Sequence, residues 1–298
     1  MNRESYHIEL ISPCFCAGAD QSKAEIRAPS IRGQLRWWFR LLGGTPKDES
    51  DIFGTVAGDE DCASSALIVR IADFRSGPVW KPPTINQNTP ENYVWHFASV
   101  SGTSVKGATG PRWKSAGAVS PQSTFTLHLV WRRTVTPAQM SLFDQSLHAF
   151  LALGALGLRA TRGLGAFVCK EARSIEEQQP GLEKAGLVIR RRTAPDTFSS
   201  YESTLRDYSS WFRYELRDSR KGKKADCPSP LGGISPERQA SAIRFRPIKL
   251  DSGQFTWLAY EAPHQRVLGP KARTSRPMLE SYQFTGPAPS APETRRKY

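Results

Sequence analysis

The sequence predicts an α+β protein made of two ferredoxin-like domains (RRM-like, split βαβ) with loop insertions, the second domain degenerate. Segments with strand and helix periodicity follow the order strand, helix, strand, strand, helix, strand within residues 1–172. A shorter series of strand and helix patterns follows over 173–283, which we interpret as a reduced version of the same unit. The apolar and charged fractions, 39% and 23%, are those of a globular protein.

The first unit is predicted from alternating and helical apolar patterns. Its elements are, in chain order, a strand at 6–12, a helix at 30–42, a short helix at 48–53, strands at 65–74 and 125–131, a helix from 136 and a strand after a glycine-rich loop. Ser30 is the expected N-cap of the first helix, since its hydroxyl can accept from a free backbone N–H. Thr136 and Gln139 form a capping-box pattern around Pro137 at the start of the second long helix.

The second unit has fewer signals. Residues 171–199 are interpreted as a linker with one short strand at 186–190, and apolar spacing predicts a helix over 201–216. A hairpin is expected from strands at 242–246 and 255–260. The proline-rich tail, 284–298, is predicted to be disordered.

Residues 75–123 are an insertion rich in Gly, Pro, Ser and Asn, with one modest strand candidate at 93–97. Tryptophans alternate there with basic residues: Trp80, Lys81, Trp95, Lys106, Arg112, Trp113 and Lys114. This pattern suits base stacking above a phosphate track, but it is equally typical of tryptophans that fix a loop to a core. We slightly favour the second interpretation for each tryptophan taken singly.

The charge is the strongest compositional signal. The formal net charge is +13 and the isoelectric point is near 9.8, with 28 arginines and 13 lysines. A planar guanidinium with five donors suits bidentate phosphate contacts and stacking on bases. Nucleic acid is therefore the leading partner, with an anionic membrane or an acidic protein as the other options.

Other classes find little support in the sequence. The five cysteines are scattered, and Cys14 and Cys16 have no second pair at zinc-ligand spacing, so no metal or cofactor is expected. No apolar run is long enough to span a membrane, and the N-terminus lacks the apolar core of a signal peptide. We therefore expect a cytoplasmic protein that binds no membrane and no small-molecule substrate.

Three arginines follow one line of the first predicted helix. Arg32, Arg36 and Arg40 are spaced i, i+4, i+8, away from the apolar stripe, and Gly33 lies beside them. They are either a solvated basic face or a row of guanidinium groups that bind phosphates, and the helix alone does not decide between these. Without a side chain, Gly33 would let another backbone come close, at a cost of ~1 kcal/mol in helix propensity.

The glycine-rich loop at 157–165 also carries arginines. Gly163 and Gly165 permit positive φ and leave backbone N–H groups uncovered, while Arg159 and Arg162 supply charge. The loop lacks the Gly-Lys-Ser/Thr of a P-loop. It follows a helix and precedes a strand, so it is not a dinucleotide fingerprint either.

Together these stretches resemble a known family. Residues 26–40, with 12–20 before them, resemble the signature and first loop of the first subunit of the type III-B CRISPR Cmr effector complex, a branch of the RAMP superfamily. The loop at 157–165 resembles that superfamily's C-terminal glycine-rich motif, although Leu164 replaces a usual aromatic residue and Ala166 a common serine. Beyond residue 170 only 238–243 is similar.

The resemblance implies a non-catalytic RNA-binding subunit with two ferredoxin-like domains, active in antiviral defence as part of a ribonucleoprotein complex. It implies contacts with the 3′ region of the guide RNA, with single-stranded target RNA and with neighbouring RAMP subunits. The RNA-binding residues would be Arg32, Gly33, Arg36, Arg40, Arg159, Arg162, Gly163 and Gly165, the two clusters converging on one channel.

Three alternatives stay open. The first is a RAMP-type endoribonuclease that processes or cuts RNA, for which Asp20 is the candidate residue, because some target-cutting relatives use an aspartate there. This is disfavoured because the first helix and the glycine-rich loop contain no histidine or tyrosine to act as general acid or base, and Asp20 is a lone carboxylate without a partner or metal cluster. The second is a general RNA chaperone, and the third is an assembly cap whose arginines pair with acidic neighbours and touch no RNA.

Overall fold

The computed structural model describes residues 3–20, 23–55, 63–81, 89–95, 118–193, 197–217, 229–232, 240–268 and 276–290. Its strands are β1 (Arg3–Leu10), β2 (Leu67–Arg75), β3 (Thr124–Trp131), β4 (Phe167–Cys169), β5 (Val188–Arg191), β6 (Ile243–Lys249) and β7 (Phe255–Glu261). Its α-helices are α1 (Ala28–Leu41), α2 (Pro46–Phe53), α3 (Asn92–Trp95), α4 (Pro137–Leu153), α5 (Ile175–Lys184), α6 (Tyr201–Ser210) and α7 (His264–Val267). A π-helix, Trp211–Leu216, continues α6, and a 3-10 helix spans Met278–Ser281.

The first sheet contains four antiparallel strands in the order β2-β3-β1-β4. Tyr6, Ile8 and Leu10 of β1 alternate with more exposed residues and turn inward, as the two-residue period of a strand requires. They pack in one core with α1 and α4. The structure is therefore mixed α+β with antiparallel sheets, as predicted, and the predicted order of strands and long helices over the first 172 residues is confirmed.

Helix α1 packs through the apolar stripe that the sequence indicates, because Ile31, Leu35 and Trp38 are fully buried. Its predicted start is wrong. The N-cap is Arg27, which has extended backbone angles and makes no side-chain cap bond, and Ser30 lies inside the first turn. The first turn tolerates Pro29 because the first N–H groups of a helix have no intrahelical partner in any case.

The second sheet contains three antiparallel strands in the order β5-β7-β6. Helix α6 and the π-helix pack on it through an aromatic cluster around Tyr208, Phe245 and Trp257. The Trp257 indole N–H donates to the buried carboxylate of Asp207, 2.6 Å away.

The two halves pack closely against each other. Leu258 and Tyr260 of β7 belong to the same core as α1 and α4. The Tyr260 hydroxyl donates to the carbonyl of Leu153 at the end of α4. Lys249 at the end of β6 forms an ion pair with Glu9 of β1 at 2.7 Å.

Three predicted features are corrected. The stretch 171–199 contains helix α5, which begins at a Ser174 capping box that the sequence analysis overlooked. The strand candidate at 93–97 begins as the short helix α3, and its last two residues lie outside the described part. Phe284, placed in the predicted disordered tail, is completely buried, while 291–298 lie outside the described residues.

Candidate nucleic-acid interface

The arginine row of α1 faces helix α2. Arg36 donates through Nε to Glu49, 2.6 Å away, and its Nη2 lies 2.5 Å from the same carboxylate oxygen. Nε of Arg40 lies 3.3 Å from the other oxygen of Glu49. Arg32 donates to the carbonyl oxygen of Phe53. All three guanidinium groups thus have partners within the chain, and the Glu49 side chain, only 9% exposed, holds two of them.

These contacts leave part of the row open to solvent. The side chains of Arg36 and Arg40 are 42% and 58% exposed. Gly33 is exposed on the same helix, and no described atom lies within 4 Å of where its Cβ would be. One carboxylate therefore balances part of the charge of three arginines, and the row keeps a positive, accessible edge.

The glycine-rich loop is held by the protein itself. Gly163 and Gly165 have φ values of 79° and 65°, which favour glycine. A Cβ on Gly165 would lie 1.8 Å from the carbonyl oxygen of Leu156, and one on Gly163 would lie 2.3 Å from the Tyr208 hydroxyl. The N–H of Gly165 donates to Pro13, and the carbonyl of Gly163 accepts from Ser12.

Both glycines therefore serve close packing within the chain. This corrects the expectation that the loop leaves its backbone N–H groups uncovered. The Gly165 N–H is bonded to the Pro13 carbonyl at 2.9 Å, and the Gly163 N–H contacts the carbonyl of Ala160 at 3.4 Å.

Arg162 occupies a buried position that excludes the predicted phosphate contact. It is 3% exposed. Its Nη1 donates to the Ser241 hydroxyl and the Ile243 carbonyl, and its Nη2 donates to Leu231. Its guanidinium also lies 4.4 Å from the ring centre of Phe212. Burial lowers the pKa of Arg162 to about 10, so it remains charged at neutral pH. Arg162 thus fastens the glycine-rich loop to the second half of the chain.

Arg159 lies at the surface of the same loop. It has φ 58° and is half-buried, with its guanidinium 4.9 Å from the ring centre of Tyr93. The Tyr93 ring in turn stacks on Phe212 at 5.3 Å. Burial raises the pKa of Tyr93, but the charges of Arg162 and Arg159 outweigh it and leave this pKa below its usual value. Of the two loop arginines, Arg159 is the accessible one.

Strand β6 contacts both arginine-bearing stretches. The Arg244 guanidinium lies 3.8 Å from the ring centre of Trp37 on α1. The next residue, Phe245, donates its backbone N–H to the carbonyl of Thr161 in the glycine-rich loop. Sequence analysis recognised β6 as a strand but missed Arg244, because only the folded chain brings it to α1. Convergence of the two clusters on one channel stays a prediction.

The candidate carboxylate Asp20 and two histidines of the first sheet have partners within the chain. Asp20 is 3.9 Å from Lys23, with its side chain 57% exposed. His128 faces Ser5 and Arg3 through its two ring nitrogens, each at 2.8 Å, and His7 contacts Glu171. The strand register puts His7 and His128 on the same face of adjacent strands, a proximity that no local sequence pattern predicts.

Within the described residues, no group of three or more His, Cys, Asp or Glu side chains could hold a metal ion.

Trp80 lies 5.7 Å from Phe15, centre to centre, as expected of a tryptophan that fixes the insertion to the core. The ring of Trp95 and the basic residues Lys106, Arg112 and Lys114 lie outside the described part, as does Trp113. In the part of the chain that the structure covers, none of the helices is both long and apolar enough to cross a bilayer.

Comparison with known proteins decides the family. The family model of the RAMP superfamily matches residues 7–168, more than half of the chain. The chain belongs to the RAMP superfamily. This confirms the resemblance inferred from the arginine-bearing helix and the glycine-rich loop.

Two proteins from Pyrococcus furiosus are similar in sequence. CRISPR system Cmr subunit Cmr1-1 is 25% identical over 171 residues, which cover 53% of this chain and 44% of the relative. CRISPR system Cmr subunit Cmr1-2 is 44% identical over 87 residues, covering 26% of this chain and 44% of the relative. The chain thus spans less than half the length of these relatives.

Two solved structures share the fold of this chain. Crystalline Cmr1 from Pyrococcus furiosus (apo form) superposes with a TM-score of 0.55 at 18% identity, covering 95% of this chain and 92% of that chain. A chain of the Type III-B Cmr-beta complex bound to cognate target RNA and AMPPnP gives a TM-score of 0.53 at 14% identity, covering 87% and 94%. At these identities the likeness shows the mixed α+β fold alone.

Proposed function

We propose that this RAMP protein is a non-catalytic RNA-binding subunit of a type III CRISPR effector complex. It contacts guide RNA near its 3′ region and single-stranded target RNA, and it packs on neighbouring RAMP subunits in antiviral defence. Each half is assigned to a ferredoxin-like domain, 1–172 and 173–283, the second one degenerate. The similarity to the Cmr subunits of Pyrococcus furiosus supports the complex.

One observation carries the RNA-binding role: the arginine row of α1 keeps an exposed positive edge beside the open surface at Gly33. Phosphate contacts of this kind position a strand without reading its sequence. We assign the contacts to Arg32, Arg36 and Arg40, with Arg159 from the glycine-rich loop. Arg162, Gly163 and Gly165 support that loop from inside.

Fluorescence anisotropy with labelled single-stranded RNA tests this role. Arg36→Ala and Arg40→Ala should each weaken binding of all sequences alike and make the slope of log K against log salt shallower by ~1. Lys47→Ala is the matched control, since Lys47 is exposed on the neighbouring helix and pairs with Asp51. Unchanged affinity and slope in both arginine variants would refute the assignment.

Charge reversal at Arg36 distinguishes a role in assembly from a role in RNA binding. If Arg36 only pairs with an acidic neighbour, Arg36→Glu should disrupt the complex and leave RNA affinity of the isolated chain unchanged. Purifying the chain with its partners and sequencing the bound RNA distinguishes a defined guide RNA from the bulk RNA of a general chaperone. For the non-catalytic role, Asp20→Ala should leave target cleavage by the assembled complex intact.

A further inference from the structure

Two cavities share a wall where β1 meets the end of β6. The larger is a groove of about 800 Å³ between β4 and α5 on one side and β6 and β7 on the other. The smaller is a pocket of about 370 Å³ beside the N-terminus of α6. Glu9 and Lys249, joined by their ion pair, line both cavities.

The groove has a small excess of positive charge: six cationic side chains and three carboxylates line it, and two of the cations, Arg173 and Arg192, pair with Asp144 and Asp207 outside the lining. The cations are Lys170, Arg173, Arg191, Arg192, Arg246 and Lys249. Arg246 is 2% exposed and donates through Nη2 to the carbonyl of Phe167. Its Nη1 is buried and has no hydrogen-bond partner among the described residues. Arg246 therefore stays within the wall, and the cations that a phosphate in the groove can reach are the exposed Lys170, Arg173 and Arg191.

The pocket has a different character. Its walls include the aromatic rings of Trp80, Tyr201 and Phe255 and the hydroxyl of Ser199. The edge-to-face contact between Trp80 and Phe15 fixes one wall. The phenol of Tyr201 lies beside the side chains of Trp80 and Glu202, both of which also line the pocket. Burial raises the pKa of Tyr201, which keeps the phenol protonated and able to donate at neutral pH.

The charges that line the two cavities suit different ligands. The pocket is lined by two carboxylates, Glu9 and Glu202, and one cation, Lys249, so it disfavours a phosphate. Aromatic walls with a few hydroxyl groups suit a flat, uncharged ring with polar edges. Its volume lies within the range of pockets that bind small molecules, about 300–1,000 Å³.

We propose that one unpaired nucleobase of the RNA strand binds in the pocket against Trp80, with its edge toward Tyr201, while the adjoining phosphates lie in the groove. This inference rests on the proposed RNA-binding function and adds to it a base-binding subsite. The subsite accepts single-stranded RNA only, because a paired base cannot leave its stack without unpairing.

The test compares two RNAs with equal numbers of phosphates: oligouridine, and the same ribose-phosphate chain without bases. In anisotropy titrations with the full chain, the abasic RNA should bind about 5- to 150-fold more weakly, the range expected for stacking of one base. Trp80→Ala should weaken oligouridine binding by a similar factor and leave abasic RNA binding unchanged. Trp80→Phe should retain most of the affinity, and Tyr201→Phe should lower it less than Trp80→Ala.

Two outcomes overturn the subsite. Equal binding of both RNAs would mean that only the backbone is bound, and the pocket would then fit an aromatic side chain of a neighbouring subunit. An equal loss for both RNAs in Trp80→Ala would mean that Trp80 only supports the fold. Either result leaves the proposed RNA-binding function standing, whereas failure of both RNAs to bind the unmodified chain would end that function and the subsite together.

Discussion

Arg36 of α1 and Glu49 of α2 form an ion pair in which the carboxylate is almost completely buried and the guanidinium is not. The second oxygen of Glu49 lies 3.3 Å from Arg40. Glu49 therefore joins two helices and also fixes the direction of two arginines. Part of the row's charge is neutralised inside the protein, and the remainder faces solvent.

Glu49→Gln should change stability and RNA binding in opposite directions. Loss of the charge leaves two arginines without a counter-ion, which should lower the free energy of unfolding by about 1–2 kcal/mol, because the arginine side of the pair is solvated. The arginine row gains one effective positive charge, so RNA should bind more tightly at low salt. The slope of log K against log salt should become steeper by ~1. Chemical denaturation and anisotropy measure the two effects. Asp51→Asn, the same charge change on α2, is the control, and identical RNA binding in all three proteins would show that the row does not meet phosphates.

Arg162→Met should destabilise the protein far more than Arg159→Ala does. Arg162→Met leaves buried carbonyl and hydroxyl partners without a donor, at an expected cost of about 3 kcal/mol or more. Arg159 is half-buried and loses its cation–π contact and hydrogen bond with Tyr93, together worth about 1–2 kcal/mol. Urea denaturation of both variants measures the difference. Similar losses in the two variants would show that the glycine-rich loop is not held through Arg162.

The elements that repeat a local pattern were predictable from the sequence. Helix α4 begins at the predicted capping box, and the buried stripe of α1 is the predicted one. Helix α5 was overlooked although Ser174 and Glu177 form a capping box, because Pro180 and Gly181 within it resemble the composition of a linker. Local composition therefore indicated a linker, whereas the capping residues indicated the helix that the structure contains.

The candidate site was less predictable, because periodicity reveals which residues share a face but not what lies opposite. In the sequence, Arg36 and Arg162 cannot be told apart, because each is a basic residue within an unusual motif. In the fold, Arg36 pairs with the Glu49 carboxylate, which it shares with Arg40. Arg162 instead donates to carbonyl groups some 70–80 residues away along the chain. Arg246, 79 residues from its partner Phe167, shows the same limit.

Alanine substitution at two glycines of the predicted site should have opposite effects. Gly33 lies inside α1 with open space around it, so Gly33→Ala should stabilise the protein by about 0.5–1 kcal/mol. If an RNA backbone approaches there, the added methyl group should also weaken RNA binding.

Gly165→Ala should destabilise the protein strongly, because its φ is positive and a Cβ would clash with the Leu156 carbonyl. Gly253→Ala is the control for positive φ alone, since no described atom lies within 4 Å of that Cβ. Thermal denaturation of the three variants gives the ranking. A Gly165→Ala protein as stable as Gly253→Ala would mean that the loop relaxes without cost.

Acidification should destabilise the protein in part through His148. Burial, and then the nearby charge of Arg173, lowers the pKa of His148 below its ordinary value of 6.5. Its Nδ1 accepts a hydrogen bond from the backbone N–H of Arg173, which requires the unprotonated nitrogen. The unfolded chain therefore binds a proton here at a higher pH than the folded chain does, and stability falls as the pH decreases through and below about 6.5. Melting temperatures measured from pH 7.5 to 5.5 at constant ionic strength should fall less steeply for His148→Gln than for the unmodified protein. Parallel curves for the two proteins would show that another group controls the response to acid.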